Sequence, residues 1–554
     1  MPVINFSFSD LKALIGRELD FETVVNRIPM MGADVHTANK DSDEMAFEFF
    51  PDRPDLYCVE GIARAFRAFM DVQPGLRRYE VGKSDVVLKV DPAVDQVRPF
   101  IWSAMITDIE MNDYLIRSVM DLQEKLHLTV GRNRKKVAIG IHDFDRVKPP
   151  FLYTAAKPTD VKFLPLQGSR EMNLQEILTD HEKGKAYAFV LEGKEKYPII
   201  FDSENTVLSF PPIINGITTA ITEETRNIFV DCTGTDLNAL KASVNILVTS
   251  FAERGAKIST VEIQKGEELM LAPDLEPWEM VVKIDQIDEL TGIHESPNMI
   301  CAYLARMGYD VIADGVNLKV KVPAYRYDIL HPADIIEDIA KAYGYEKFGQ
   351  LMPRQQTIGQ PVLELDFWNV LRNAMTGLGY LEITTLTLTS KDDQYKLMMR
   401  AESDDPVETK NPRTEERNIL RTALLPEIMA ILRKNKHRDL PQRIFEVGDV
   451  VIGLENSGRF AGASIHAKAS FTEMKSTVEA ILRFLGLRLK ISAEDNESFV
   501  KGRCASILID EEAIGSFGEI RPEVITSFEL GYPVAAFEMR VEPLMRKAEA
   551  SWSD

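Results

Sequence analysis

The carboxylates of residues 325–340 have a spacing that is typical of a metal site. Pro332 suits the first turn of a helix, and Asp334, Glu337 and Asp338 follow it. At about 100° per residue, Glu337 and Asp338 lie within about 60° of Asp334 on a helical wheel. The isoleucines of the same segment occupy the opposite side. The pattern therefore predicts an amphipathic helix with one acidic face.

Asp328 precedes this helix, and we expect it to fold back towards the acidic face. Asp334 and Asp338 are like charges four residues apart, which repel each other by roughly 0.3 kcal/mol. A hard cation between them would turn that repulsion into binding, and oxygen ligands are typical of Mg²⁺. The alternative is that the acidic residues only favour the positive end of the helix dipole.

The composition is that of a folded, acidic protein. Of the 554 residues, 65 are Lys or Arg and 86 are Asp or Glu, so the formal net charge is −21. A hydrophobic content of 45% is too high for a disordered chain. The charge balance excludes a uniformly basic nucleic-acid-binding protein, although it allows a local basic patch. The length suggests about four domains.

Several common classes of protein are disfavoured by what the chain lacks. The N-terminus has no secretory signal pattern, and no apolar run approaches the roughly 18 residues of a membrane span. The cysteines form no C-x-x-C pair, which disfavours a disulfide framework or a zinc ribbon. P-loop, dinucleotide-binding, H-E-x-x-H and G-x-S-x-G motifs are also missing. We therefore expect a cytoplasmic protein that has no membrane partner.

The predicted elements indicate a multidomain α+β protein with four segments. Residues 1–90 form an α/β module, and residues 91–270 mix helices with strands expected at 137–141, 186–190 and 227–231. Residues 271–350 form a small helix–strand–helix module of the DNA-binding, winged-helix-like kind. Residues 355–554 are rich in strands and predict an antiparallel sheet.

At this point the sequence resembles a known family. The run YRYDILHPADIIEDIAKAYGY, residues 325–345, closely resembles the B5 module of the phenylalanine–tRNA ligase β subunit family. Further matches follow in order along nearly the whole chain. Residues 51–65 resemble the N-terminal module of that family, residues 126–143 its B3/B4 region, and residues 411–426, 445–448 and 515–522 its synthetase-like domain. The length is similar to the short archaeal and eukaryotic form.

The resemblance implies roles for the acidic residues and for the C-terminal domain. Asp328, Asp334, Glu337 and Asp338 match the Mg²⁺ ligands of the family. The C-terminal domain would be an inactive class II synthetase fold, because it keeps Arg421 and Glu446 without the full set that binds ATP. ATP-dependent attachment of phenylalanine to tRNA(Phe) would then occur on an α subunit, in an α2β2 heterotetramer.

The resemblance also implies an editing site in the B3/B4 region, which hydrolyses tyrosine wrongly attached to tRNA(Phe). Leu208, Ser209, Asp231 and Thr233 lie in the matching stretches. A hydrophobic synthetic pocket rejects an added hydroxyl only weakly, so a second site that hydrogen-bonds this hydroxyl would restore accuracy. From the residues alone, the favoured explanation is that Asp231, at the end of a strand, and Thr233 only shape a turn.

Two interpretations of function follow. One is an editing-competent subunit of a tRNA ligase, and the other is a Mg²⁺-binding scaffold subunit without editing activity. Basic runs at residues 132–136 and 433–443 are either solvated loop charge or contacts to tRNA phosphates or to the α subunit.

Overall fold

The computed structural model describes residues 2–350, 352, 359–402 and 406–552, with side chains described up to residue 548. The chain divides into two compact units, Met1–Leu351 and Met352–Asp554. Within the described residues, no helix is both long enough and apolar enough to cross a membrane.

A three-stranded antiparallel sheet forms the N-terminal part of the first unit. Its strands are β1 (Val3–Ser7), β2 (Ala33–Asn39) and β3 (Glu44–Phe49), and β3 lies in the middle. Its helices are α1 (Phe8–Ile15), α2 (Phe21–Arg27) and α3 (Val59–Phe69). Ser7 and Asp20 begin the first two helices, because each side chain accepts a hydrogen bond from a backbone N–H of the first turn.

A ten-stranded mixed sheet forms the centre of the first unit. Its strands are β4 (Val81–Val90), β5 (Phe100–Thr107), β6 (Val137–Asp143), β7 (Phe151–Ala156), β10 (Tyr197–Phe201), β11 (Val207–Phe210), β12 (Ile214–Asn215), β13 (Ile228–Gly234), β14 (Lys257–Lys265) and β15 (Glu268–Ala272), and a separate short pair is formed by β8 (Lys162–Phe163) and β9 (Met172–Asn173). Strand β13 lies between β5 and β6 and is antiparallel to both. Strand β4 pairs with β14 and β7, so residues 81–90 belong to this sheet and not to the predicted N-terminal segment.

The helices of this part are α4 (Asp113–Leu128), α5 (Leu174–Asp180), α6 (Glu182–Tyr187) and α7 (Leu237–Glu253). The strands expected at 137–141 and 227–231 are confirmed by β6 and β13. The strand expected at 186–190 is wrong, because this stretch is the end of α6 followed by a 3₁₀ turn, Ala188–Val190. A short apolar run is ambiguous by periodicity alone, and none of these five side chains is fully buried.

The remainder of the first unit is the predicted small module. A three-stranded antiparallel sheet of β16 (Trp278–Lys283), β17 (Asp310–Asp314) and β18 (Asn317–Val322) packs with α8 (Ile284–Thr291), α9 (Pro297–Arg306) and α10 (Pro332–Tyr343). Helix α10 begins at Pro332, as expected, and His331 and Asp334 close a capping box there.

The second unit is built on a seven-stranded sheet. Its strands pair in an antiparallel manner except for the parallel pair of β19 and β22, which confirms the predicted antiparallel α+β domain. The elements are β19 (Leu381–Glu382), β20 (Leu388–Thr389), β21 (Ile419–Leu420), β22 (Gln442–Ile452), β23 (Glu455–Ile465), β24 (Lys490–Ala493), β25 (Phe499–Ile509), β26 (Glu512–Ile520), β27 (Val534–Arg540), α11 (Leu363–Gly377), α12 (Leu425–Lys434), α13 (Phe471–Phe484), α14 (Pro522–Ser527) and α15 (Val541–Trp552).

Candidate functional site

A cavity of about 410 Å³ lies in the central sheet of the first unit. Its walls come from α4, from β6 and from the segment 208–215, and the side chain of Asp231 on β13 also lines it. The lining is mainly apolar, with a few polar groups that converge. This composition is typical of a site for a small molecule or for one end of a larger substrate.

Asp231 is a buried polar group of this cavity. The residue is 1% exposed, and its Oδ2 atom lies 2.7 Å from Nε2 of His142 and 3.2 Å from the Ser209 hydroxyl. Because an ionised carboxylate only accepts hydrogen bonds, we assign the His142 proton to Nε2. Its other ring nitrogen, Nδ1, lies 2.7 Å from the Thr219 hydroxyl. Both side-chain hydrogen bonds therefore reach Oδ2, and Oδ1 accepts none from the described side chains.

Gly140 makes room for this arrangement. It lies directly opposite Asp231 in the pairing of β6 with β13. A Cβ atom at position 140 would lie 2.2 Å from Oδ2 of Asp231 and 2.7 Å from Nε2 of His142. Only glycine allows the carboxylate and the imidazole to meet at this point of the sheet.

Arg134 ties two walls of the cavity together. Its Nη1 atom donates to the carbonyls of Pro212 and Ile213 at 3.2 and 3.0 Å, and its Nη2 atom lies 2.5 Å from Glu124. The guanidinium also stacks over Tyr187, with its central carbon 4.1 Å from the ring centroid. The long α4 and the segment 208–215 are thus joined by one cation.

Two residues of α4, His127 and Glu124, lie beside this arginine. Burial lowers the pKa of His127 to about 4, although the nearby Glu124 opposes the shift. Nε2 of His127 accepts the backbone N–H of Ile139 at 2.8 Å, so the neutral ring carries its proton on Nδ1. Burial opposes ionisation of Glu124, but His127 and Arg134 outweigh it and lower the pKa of that carboxyl to about 2.

The structure brings together two of the four predicted editing residues. Ser209 and Asp231 line the cavity, whereas Leu208 is fully buried and Thr233 does not line it. The Thr233 hydroxyl instead accepts a hydrogen bond from Nε of Arg98 at 2.9 Å. Asp231 and Thr233 both lie within β13, flanked by β5 and β6, so the alternative that they shape a turn is wrong.

The site also contains four residues that were not predicted from the sequence: Glu124, His127, Gly140 and His142. Arg134 was predicted only as part of the basic run 132–136, and not as a residue of this site. Most of them lie in the stretch 126–143 that carried the family resemblance, but nothing singled out their side chains. Positions 140 and 142 alternate on strand β6, so they face the same side of the sheet. This spacing could have indicated that the two positions belong to one site.

The predicted metal ligands are held by other partners. Arg326 donates to Asp328 from Nε and Nη2 at 2.9 and 2.7 Å, and Nη2 also donates to Asp338 at 2.8 Å. Asp338 further accepts a hydrogen bond from the Tyr309 hydroxyl at 2.6 Å. Asp334 accepts the backbone N–H groups of Leu330 and His331, just before the helix. Lys341 lies 3.1 Å from the half-exposed Glu337.

The expectation of one open acidic face is therefore corrected. Asp338 is 1% exposed, since the segment before α10 folds back and places Arg326 over it. Burial opposes ionisation of Asp338, but Arg326 and other nearby cations lower its pKa overall. Among the described residues, no group of three His, Cys, Asp or Glu side chains is placed to hold a metal ion. The four carboxylates in this arrangement do not fit a magnesium site, and the ligand set stays a prediction.

In the second unit, the two predicted class II remnants bind each other. Nη1 of Arg421 lies 2.7 Å from Glu446, and the Thr385 hydroxyl donates to the other oxygen of that carboxylate at 2.7 Å. Both charged side chains are buried. Arg421 also donates from Nε to the carbonyl of Asp449 at 2.8 Å. These groups are satisfied within the fold.

Three family models match successive parts of the chain. They are described as the B3/4 domain for residues 99–263, the tRNA synthetase B5 domain for residues 280–345, and the phenylalanyl tRNA synthetase beta chain CLM domain for residues 350–541. The first of these covers the cavity, and the last covers the seven-stranded sheet. This set of modules defines a multidomain subunit of an aminoacyl-tRNA synthetase.

Individual relatives narrow the assignment. The phenylalanine–tRNA ligase β subunit of Archaeoglobus fulgidus is 42% identical over 97% of this chain and 98% of its own length. That of Methanosarcina barkeri is 43% identical over 98% and 99%. A crystal structure of an N-terminal fragment of the β subunit from Pyrococcus horikoshii matches with a TM-score of 0.60 and 38% identity, over 62% of this chain and 100% of that fragment. The chain belongs to the phenylalanine–tRNA ligase β subunit family.

Proposed function

We propose that this subunit hydrolyses tyrosine wrongly attached to tRNA(Phe) in the cavity beside Asp231. Synthesis would take place on an α subunit, which uses ATP to attach phenylalanine to the same tRNA. The two chains would form an α2β2 heterotetramer in the cytoplasm. The observation that carries this proposal is a buried carboxylate in a largely apolar cavity, with one oxygen not engaged by the described side chains.

Such a carboxylate suits the tyrosine side chain. The ring would lie in the apolar part of the cavity, and its hydroxyl would donate to Oδ1 of Asp231. Phenylalanine has no group to offer this acceptor. A site built to hydrogen-bond a hydroxyl discriminates against the analogue that lacks it by roughly 10⁴-fold or more, since the buried polar group is left unpaired. Correctly charged tRNA would therefore be spared.

The reaction is the hydrolysis of an ester. A water oxygen attacks the tyrosyl carbonyl carbon, and the bond from this carbon to the ribose oxygen of the terminal nucleotide breaks. The proton of the water passes to that ribose oxygen, so the products are free tyrosine and uncharged tRNA. The protein contributes by fixing the side chain, which holds the ester at one place in the cavity.

The state of the second unit supports placing synthesis on the partner chain. Arg421 and Glu446 are bound to each other in a buried pair, and their charges are compensated within the fold. This chain alone should therefore give no phenylalanine-dependent exchange of pyrophosphate into ATP. Exchange that appears only when an α subunit is added would support the division of labour.

The alternative function is a scaffold subunit without editing activity. The family resemblance also implies Mg²⁺ on Asp328, Asp334, Glu337 and Asp338, but their present partners give that assignment no geometric support. No step of the hydrolysis is assigned to a metal. The two functions differ in one measurable respect, which is the fate of tyrosyl-tRNA(Phe).

The test uses the complex of this chain with an α subunit. Purified tyrosyl-tRNA(Phe) is added, and release of tyrosine is measured for the wild type and for Asp231→Ala. The variant should lose most of the hydrolysis and keep normal charging with phenylalanine. Asp160→Ala is the matched control, because Asp160 is an exposed carboxylate of the same part of the chain. A wild-type complex that charges tRNA but leaves tyrosyl-tRNA(Phe) intact would establish the scaffold function instead.

A further inference from the structure

Arg98 is a buried arginine whose hydrogen-bond acceptors are all neutral. Its Nε atom donates to the Thr233 hydroxyl at 2.9 Å, and its Nη2 atom donates to the Thr233 carbonyl at 2.6 Å. Nη1 donates to the carbonyls of Arg134 and Lys135 at 3.2 and 3.3 Å. The side chain is 2% exposed, and no carboxylate of the described residues forms an ion pair with it. Burying an unpaired charge is unfavourable, so its retention calls for a reason.

Two of the three carbonyls that Arg98 binds, those of Arg134 and Lys135, belong to a strained turn between α4 and β6. Arg132, Asn133 and Arg134 have φ values of 48°, 55° and 65°, in the left-handed region. Residues other than glycine adopt this conformation at a cost, and three in succession persist only where the surroundings hold them. The guanidinium of Arg98 is one such restraint, because it binds the end of the turn to β13.

This turn between α4 and β6 positions Arg134. From this backbone, the Arg134 side chain reaches the carbonyls of Pro212 and Ile213 and the carboxylate of Glu124 on the walls of the cavity. A continuous series of contacts therefore runs from Thr233 through Arg98 and the turn to the cavity wall. Arg134 lines the cavity, whereas Thr233 and Arg98 do not.

We propose that Arg98 is a positioning residue for the editing cavity and that Thr233 serves the site through Arg98 without touching the substrate. This inference rests on the proposed editing function for its catalytic consequence. Loss of either partner releases the turn, and Arg134 then no longer holds the segment 208–215 against α4. A misplacement of about 1 Å in such a wall lowers the rate by up to roughly a hundredfold.

The first experiment measures hydrolysis of tyrosyl-tRNA(Phe) by the complete complex with its α subunit. Arg98→Met and Thr233→Val should each lower kcat by about tenfold to a hundredfold. The double variant should be no worse than the more damaging single one, since both changes break the same series of contacts. Thr233→Ser keeps the hydroxyl and should restore activity. If the reductions in kcat caused by the two single substitutions multiply in the double variant, Thr233 acts on the substrate directly.

The second experiment does not depend on editing. Amide hydrogen exchange and limited trypsin cleavage in residues 131–136 are measured in the same complexes. Arg98→Met and Thr233→Val should speed both by tenfold or more, whereas Thr233→Ser and the exposed control Arg170→Met should not. Unchanged protection in Arg98→Met would overturn the proposal. The two proposals can also fail separately. If the substitutions release the turn but the wild-type complex does not hydrolyse tyrosyl-tRNA(Phe), the positioning role is upheld and the proposed function is contradicted.

Discussion

Arg326 donates from Nη2 to the carboxylate of Asp338 at 2.8 Å, and both side chains are buried in the first unit. The same guanidinium binds Asp328 with two further short hydrogen bonds. A protein cation thus lies where the sequence led us to expect a metal ion between carboxylates. The guanidinium neutralises Asp328 and Asp338, whereas Asp334 accepts backbone N–H groups instead.

The first prediction concerns that pair. Asp338→Ala should lower the free energy of unfolding of the first unit by about 3 kcal/mol, because it removes one of the two carboxylates that compensate a buried arginine. The change should be the same in excess Mg²⁺ and in EDTA. The change in the free energy of unfolding is measured by urea unfolding, with amide exchange in α10 as the readout.

Glu337→Ala is the control for this change. Glu337 is half-exposed beside Lys341, and surface pairs of this kind contribute roughly 0.5 kcal/mol. The prediction is contradicted if Mg²⁺ stabilises the wild type and this stabilisation is lost in Asp338→Ala. That result would support the four carboxylates as metal ligands.

The second prediction concerns Gly140. Gly140→Ala places a methyl group within 2.2 Å of Oδ2 of Asp231, so the carboxylate must move away from His142. Hydrolysis of tyrosyl-tRNA(Phe) should fall by roughly a hundredfold, while charging with phenylalanine is kept. Both rates are measured on the same complex.

Gly377→Ala is the matched substitution, because a Cβ atom at position 377 meets nothing within 4 Å. It should leave hydrolysis unchanged. Full editing activity in a folded Gly140→Ala complex would mean that the position of Asp231 does not matter for the reaction.

The third prediction concerns pH and His127. The pKa of this side chain is lowered to about 4 by burial, against about 6.5 in an unfolded chain. Between these values the unfolded chain binds a proton that the folded chain does not, so stability falls as the pH falls. From pH 7 to pH 5 the loss attributable to His127 should be about 2 kcal/mol.

His127→Gln lacks this titration, and its stability should fall less steeply over the same range. Urea unfolding at several pH values, with hydrogen exchange at C2 of the imidazole as a direct measure of the pKa, checks both statements. Parallel pH profiles for the two proteins would refute the prediction.

The fourth prediction concerns Arg421 and Glu446. Arg421→Met leaves a carboxylate that is 2% exposed without its cation, which should destabilise the second unit by about 3 kcal/mol. Amide exchange of β22 and β23 reports on this unit. Arg483→Met removes an arginine from an exposed pair and should change stability by about 0.5 kcal/mol or less. Equal effects of the two substitutions would show that burial does not set the strength of the Arg421 pair.

Local patterns in the sequence were sufficient for much of the fold. The helix start at Pro332, the strands at 137–141 and 227–231 and the antiparallel C-terminal sheet follow from capping residues, proline placement and apolar periodicity. The order of motifs along the chain also identified the family. The same local signals failed at residues 186–190, where a short apolar run is helical and lies partly in solvent.

What the sequence determined by itself is therefore the class of fold, the family and the stretches that contain the candidate site. Which side chains meet was decided only by the tertiary structure. Asp231 and Thr233 are two residues apart on one strand, yet one binds His142 in the cavity and the other binds Arg98 away from it. Asp338 of α10 likewise binds a guanidinium that the folded-back segment before the helix supplies. Pairing across strands and the path of loops depend on contacts distant in sequence, and local spacing carries no information about them.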